Sequence, residues 1–345
     1  MSHQPARARD LGIAAGPHRP GPRNAIVDVA GVRVGHTTIV EGDDVRTGVT
    51  AVVPDAVDRA GGRLPAGLFV ANGYGKLVGA TQLVELGSIE TPILLTGTLS
   101  TFRVADALVS YLTGLPGNEE LTSVNPVVGE TNDGFLSDIR RRPVTEHHVH
   151  QALTSADAGP VAEGCVGAGT GTVTLGFKGG IGTSSRMVDV AGHGPCTVGV
   201  LLQSNFSGTL TVRGVPVTAT VPPGAGGPGP PPHSNSCMIV VAVDLGLDAR
   251  QLGRVARRAT FAMGRAGADF AEGSGDYAIA VSVATPATVP DSALNPIFLA
   301  VRDAVEEAVL NSLLMATTTV GYRGRVAHAV PHRDVLERCR AAGVL

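Results

Sequence analysis

Tryptophan is absent from this 345-residue chain, and aromatic residues make up only 3% of it. A core must therefore be built from Val, Leu, Ile and Ala, and few rings are available to stack on nucleobases. Neither sign of charge dominates: 27 Lys and Arg against 30 Asp and Glu leave a formal net charge of −3. No basic patch of the kind that tracks phosphates occurs, which argues against nucleic acid as a partner. No apolar run approaches the ~20 residues that a membrane helix needs, so no membrane partner is expected. The opening MSHQPARARDLGIAAGPHRPGPRN lacks the apolar segment of a secretory signal. Four cysteines, Cys165, Cys196, Cys237 and Cys339, are scattered without a CxxC pair. They read as reduced core thiols of a cytoplasmic protein, not as a disulfide or zinc framework.

What is present is apolar and rich in turns. Hydrophobic residues make up 43% of the chain and charged residues 17%, with 46 Gly and 23 Pro; global disorder is excluded by that balance. Residues 1–25 are rich in Pro, Arg and Gly and read as an arm lying over the surface. Residues 26–345 read as a single domain. GVRVGHTTI, GVTAVVP, GLFVANG and PILLTG alternate as strands. TFRVADALVSYL and VTEHHVHQALTSA read as helices, the second capped at Thr145. A second strand-rich block runs through GTVTLGFKGG, SRMVDVAG, CTVGVLLQSN, GTLTVRG and VPVTATV. Beyond it, DARQLGRVARRATFAMGRAG predicts a helix between an Asp248 cap and Gly267. DYAIAVSVAT is a strand, NPIFLAVRDAVEEAVLNSLLMAT a long helix capped by Asn295, and PHRDVLERCRAAG a short closing helix. Strands outnumber helices, and helices do not follow each strand. This predicts a layered α+β domain with sheets inside and helices outside, not a doubly wound sheet.

The stretch GPGPPPHSNSCMIVVAVD poses the functional question. Its Pro-rich half offers few backbone donors and must lie in water. From Cys237 to Val243 every residue is apolar, so that strand is buried on both faces. Ser234, Asn235 and Ser236 stand at the boundary. Spacing alone favours ordinary turn chemistry there. The sharper reading is autoproteolysis: the Ser236 hydroxyl attacks the preceding carbonyl, an ester forms, and water cleaves it. The product is an N-terminal serine whose amine, titrating near pH 7–8, can act as a base.

Several segments carry a resemblance over nearly the whole chain: RARDLGI, GVRVGHTTI, VVGETNDGFLSDI, VGAGTGTVTLGFKGGIGTSSR, TVGVLLQSNFSG, SCMIVVAVD, GSGDYAIAVS and EEAVLNSLLMA. In this order they resemble the L-aminopeptidase D-Ala-esterase/amidase family, which includes the β-peptidyl aminopeptidases. The resemblance implies a four-layer αββα sandwich like that of N-terminal-nucleophile hydrolases, self-cleaved into an α chain 1–235 and a β chain 236–345. It implies Ser236 as nucleophile, with Ser274 and Asp276 handling its proton. It implies Asn205 as an oxyanion donor, Glu130 as the receptor of a substrate ammonium, and Asn132 at a second oxyanion position. Three positions depart from the best-known members: Asn235 replaces Gly before the cut, Asp276 replaces the more usual Glu, and Asn132 replaces a tyrosine. The expected substrates are small peptides, amides or esters, with no metal or cofactor, and the expected assembly is a homo-oligomer, a tetramer of αβ units. Two alternatives stand beside this: an acyltransferase of the ornithine-acetyltransferase type, whose nucleophile is typically threonine, and an uncut, non-catalytic scaffold.

Other motifs read as structural. EHHVH places Glu146, His147 and His150 on one helix face but supplies no fourth ligand for a metal. GAGTGTVTLGFKGG lacks the phosphate-loop pattern, and tight turns against neighbouring backbone explain it better. Lys178 is read as a surface lysine, with a cation of the site as the alternative. Cys237 should point away from the side to which Ser236 points, because side chains alternate along a strand.

Overall fold

The computed structural model describes residues 4–58, 61–219, 236–285 and 287–345. Two sheets form its centre. The first, in spatial order β1 (Val32–Glu41), β2 (Val45–Pro54), β5 (Ile93–Gly97) and β6 (Val127–Thr131), is antiparallel except for the parallel β5–β6 pair. The second runs β4 (Ser88–Ile89), β3 (Leu64–Gly73), β14 (Gly275–Ser282), β13 (Ser236–Val243), β10 (Gly194–Asn205) and β9 (Ile181–Val190). Only β13 and β14 are parallel there. Three two-stranded pairs complete the strands: β7 (Val173–Thr174) with β8 (Phe177–Lys178), β11 (Thr211–Val212) with β12 (Val215–Pro216), and β15 (Thr319–Val320) with β16 (Val326–Ala327). The GTVTLGFKGG and GTLTVRG segments thus make these small ribbons, not long strands.

The helices are α1 (Ala80–Glu85), α2 (Thr101–Thr113), α3 (Glu146–Thr154), α4 (Ala249–Ala266), α5 (Asn295–Leu314) and α6 (His332–Ala341). Three apolar clusters define the layers. Val49, Ala51 and Leu94 pack under Val104 and Leu108 of α2 and Val149 and Leu153 of α3. Val32, Val34, Val52 and Leu95 of the first sheet meet Leu201, Met238, Val240 and Ile279 of the second. Val200, Cys237, Ile239 and Val241 face Leu252 and Val255 of α4 and Val301 and Val305 of α5. The order is helices, sheet, sheet, helices, the four-layer αββα arrangement expected.

Local chemistry accounts for both ends of α4. Asp248 caps α4 by accepting from the Gln251 N–H at 2.7 Å, and Gly267 ends it at φ 104°. Thr145 occupies the cap of α3. Asn295 does not cap α5: a 3-10 turn at Asp291–Leu294 runs directly into the helix and supplies its first turn, so Asn295 is already helical. The N-terminal residues also differ from a surface arm. Ala8 and Ile13 are fully buried in the cluster that includes α5. The Ala8 N–H donates to Asn311 at 2.9 Å, and Arg9 pairs with the buried Glu307 at 2.9 Å. Among the described residues, no helix is long and apolar enough to cross a membrane.

Candidate active site

Strands β3, β6 and β10 end at the edge of the sandwich where β13 and β14 begin. Ser236, the first residue of β13, lies opposite Asn205, the last of β10, and opposite Gly275, the first of β14. Ser236 is 3% exposed. Alternation puts it on the face of Met238 and Val240, between the sheets, while Cys237 turns with Ile239 toward α4 and α5. Burial, and then the neighbouring Asp276, hold the Cys237 thiol well above its ordinary pKa. It is not a competing nucleophile.

Ser274 and Asp276 flank Gly275. The Ser274 hydroxyl donates to Asp276 Oδ1 at 2.9 Å, with both side chains buried. Burial raises the Asp276 pKa to about 6, against the stabilising Ser274 bond and with a smaller contribution from Asp269. Its second oxygen, Oδ2, meets no hydrogen-bond donor among the described residues. Pairing of β14 with β3 shifts register between Asp276 and Tyr277, which face Asn72 and Val70 and leave Ala71 of β3 as the extra residue. Gly275 is required by protein backbone: a Cβ there would lie 2.8 Å from the Tyr74 carbonyl.

Asn205 is held by the β7–β8 hairpin. Its Oδ1 accepts the Val173 N–H at 3.0 Å, so Nδ2 is the donating end. One of its two hydrogens goes to the Asn132 carbonyl at 3.1 Å, leaving the other for a reacting oxygen. Asn132 thus reaches Asn205 through its backbone, while its side-chain Oδ1 accepts the Gly134 N–H at 3.0 Å and fastens its own turn. Gln203, two residues before Asn205, ties the two sheets together. Its Nε2 donates to Thr131 Oγ1 at 2.8 Å, Ala168 O at 2.9 Å and Thr96 O at 3.2 Å. That fixes Glu130, next to Thr131, relative to Asn205.

Glu130 is 2% exposed. Its Oε1 accepts the Lys76 N–H at 3.0 Å and lies 3.5 Å from the Lys76 ammonium. Its Oε2 has no donor among the described residues. Tyr277 stands beside it: a Cβ on Gly75 would be 3.2 Å from both Glu130 Oε1 and the Tyr277 hydroxyl. Burial raises the Tyr277 pKa, and the charges of Glu130 and Asp276 add to the effect, so the phenol stays neutral. Lys76, Tyr277 and Gln203 were not among the residues singled out from sequence. GYGK follows a strand without any period, and only the fold turns it across the site.

Of the expected residues, Ser236, Asn205, Ser274, Asp276, Glu130 and Asn132 converge on this edge; Asn235 lies outside the described residues. Lys178 is not a surface residue. It is fully buried, donating to the Gly179 carbonyl at 2.6 Å and the Gly169 carbonyl at 3.0 Å, so it ties the glycine turns around the β7–β8 hairpin. Burial lowers its pKa, with Cys165 and Asp133 opposing. EHHVH lies on α3, and among the described residues no group of three or more His, Cys, Asp or Glu is placed to hold a metal.

The family model for peptidase family S58 matches residues 24–327. The chain belongs to peptidase family S58. It is 39% identical over 370 residues to the β-peptidyl aminopeptidase BapA of Sphingosinicella xenopeptidilytica, covering 97% of this chain and 91% of that protein. It superposes on the L-aminopeptidase D-Ala-esterase/amidase of Ochrobactrum anthropi with a TM-score of 0.91 at 36% identity, covering 99% of this chain and 100% of the other. That structure is described as a variant of the Ntn hydrolase fold and a prototype of the serine aminopeptidases. The PH0078 protein of Pyrococcus horikoshii OT3 superposes with a TM-score of 0.89 at 42% identity, covering 99% and 100%. As an S58 member the chain is a hydrolase of the aminopeptidase and amidase type, and a serine nucleophile fits that family.

Proposed function

We propose that Ser236 cuts its own chain after Asn235 and then serves as the nucleophile of a serine aminopeptidase acting on small peptides, amides or esters. The observation that carries this reading is the meeting of three strands: a serine at the start of β13, an aligned carboxamide across from it on β10, and the Ser274–Asp276 pair on β14. In the cut itself, Ser236 Oγ adds to the Asn235 carbonyl carbon, the C–N bond breaks, and the nitrogen takes the proton to become a free amine. Water then hydrolyses the ester, leaving a carboxylate on Asn235. The new amine supplies the donor that Asp276 Oδ2 lacks, and Asp276 holds it against Ser236 as a base. In turnover, Ser236 Oγ attacks the carbonyl after the substrate's first residue, and Asn205 Nδ2 donates to the oxyanion. The amine passes its proton to the leaving nitrogen, and water releases the acyl group. Glu130 Oε2, buried and with no donor among the described residues, receives the substrate ammonium.

Four unpaired cysteines suit a reducing, cytoplasmic location. Exposed apolar side chains such as Phe102, Val84 and Leu86 suit burial between copies in a homo-oligomer, in our reading a tetramer of αβ units. Denaturing mass spectrometry tests the central step. Purified protein should give two polypeptides, 1–235 and 236–345, and should hydrolyse aminoacyl p-nitroanilides. Ser236→Ala should give one intact chain and no turnover; normal processing of that variant would overturn the assignment.

A further inference from the structure

The loop of residues 74–79, between β3 and α1, packs against Ser274 and Glu130. The Tyr74 N–H donates to the Ser274 carbonyl at 3.1 Å, which ties the loop to the catalytic strand. Two residues on, the Lys76 ammonium lies 3.5 Å from Glu130 Oε1 and donates to Thr98 Oγ1 at 2.8 Å. Lys76 keeps 38% of its side-chain exposure, whereas Glu130 keeps 2%. Two features therefore lie side by side: a buried carboxylate oxygen with no donor among the described residues, and the ammonium of a part-exposed lysine held by Thr98.

This arrangement has an electrostatic consequence. A substrate bearing only an ammonium places two cations, its own and Lys76, on the Glu130 carboxylate. A substrate that also bears a carboxylate restores balance, with its ammonium on Glu130 Oε2 and its carboxylate on the Lys76 Nζ. The two groups must be carried on the same or neighbouring carbons to span adjacent partners. We infer that Lys76 is a specificity-determining residue that selects acyl groups with a carboxylate beside the ammonium, of which a β-aspartyl residue is the simplest. The inference rests on the reading of Glu130 as the amine receptor in a Ser236 aminopeptidase.

A matched substrate pair isolates the carboxylate: β-aspartyl p-nitroanilide and 3-aminobutyryl p-nitroanilide, in which a methyl group takes its place. The readout is the ratio of their kcat/KM values within each protein, so a general loss of activity cancels. The full-length, processed protein should favour the β-aspartyl substrate by about tenfold or more, the size of one charge-assisted hydrogen bond. Lys76→Met should abolish or invert that ratio, and Lys76→Arg should retain it. A wild-type preference for the neutral substrate, or a ratio unmoved by Lys76→Met, would overturn the inference. Hydrolysis of the 3-aminobutyryl substrate alone would leave the aminopeptidase reading standing. Failure to hydrolyse either, with α-aminoacyl p-nitroanilides still cleaved, would overturn the inference alone; failure on all of them would remove both.

Discussion

Asp276 shows how one residue couples the site to stability. Its carboxyl, ordinarily near 3.8, is held at about 6, chiefly by burial. The folded state thus binds this proton more tightly than the unfolded chain does. The stability it contributes is full below about pH 4 and is lost as the pH rises through 6, when a buried group must ionise. A free Ser236 amine would repay part of that cost by pairing with the carboxylate. The unfolding free energy of the uncut Ser236→Ala protein, measured in urea from pH 4 to 7, should therefore fall more steeply than that of Ser236→Ala carrying Asp276→Asn as well. Taking the difference between the two proteins removes the other titrating groups, including Asp133 and Glu163, whose pKa values burial raises to about 7. Equal slopes would mean that Asp276 does not titrate in this window. The residue scale also marks where sequence reading stopped. Ser236, Asn205, Ser274, Asp276 and Glu130 were singled out through segments that resemble a family. Lys76 and Tyr277 were not, because their place beside Glu130 arises from packing between the two sheets.

At the scale of elements, the legible parts were those whose signal is local. The all-apolar run of β13 announced a central strand, and Asp248 and Gly267 bracketed α4 because capping chemistry lies within a few residues. VVGET of β6 and ATQLVE of α1 went unread as elements, the first because Gly129, Glu130 and Thr131 interrupt its apolar run and the second because six residues are too few to show a period. The depth of the N-terminal residues was hidden for another reason: their partners, Asn311 and Glu307, are about three hundred positions away. Many glycines proved to be spacers where a helix backbone sits directly on a strand. Gly182 of β9 is one such point, since a Cβ there would collide with the Ala308 carbonyl and the Ser312 nitrogen of α5. Neither obstacle is a flexible side-chain end, so α5 would have to lift from the sheet. Gly182→Ala should cost about 1–3 kcal/mol, the usual range for overpacking. A shift in the urea midpoint at constant m-value would register it, and an unchanged midpoint would show that the helix can move freely.

For the whole molecule, the proposed cut falls at a demanding place. It would leave β13 and β14 in the 236–345 piece, while β4, β3, β10 and β9 of the same sheet belong to 1–235. β13 pairs with β10 from Val198–Val243 to Asn205–Ser236, and β14 pairs with β3 from Gly275–Gly73 to Val281–Ala66. The first sheet, which belongs to 1–235, covers one face of this sheet, and on the other face α4 and α5 of the 236–345 piece lie on β3, β9 and β10 of the 1–235 piece. The junction between the pieces is therefore a domain core divided in two, the kind of surface found in obligate complexes of roughly 2,000–5,000 Å² or more. Severing one peptide bond at the edge removes none of these contacts; it frees only the end of the strand that must do chemistry. The two polypeptides should thus co-elute in native size-exclusion chromatography and separate only under denaturing conditions. Dissociation of the 236–345 piece in native buffer would mean that the covalent link, not the shared sheet, holds the nucleophile strand in place, and the site built around Ser236 could not survive its own activation.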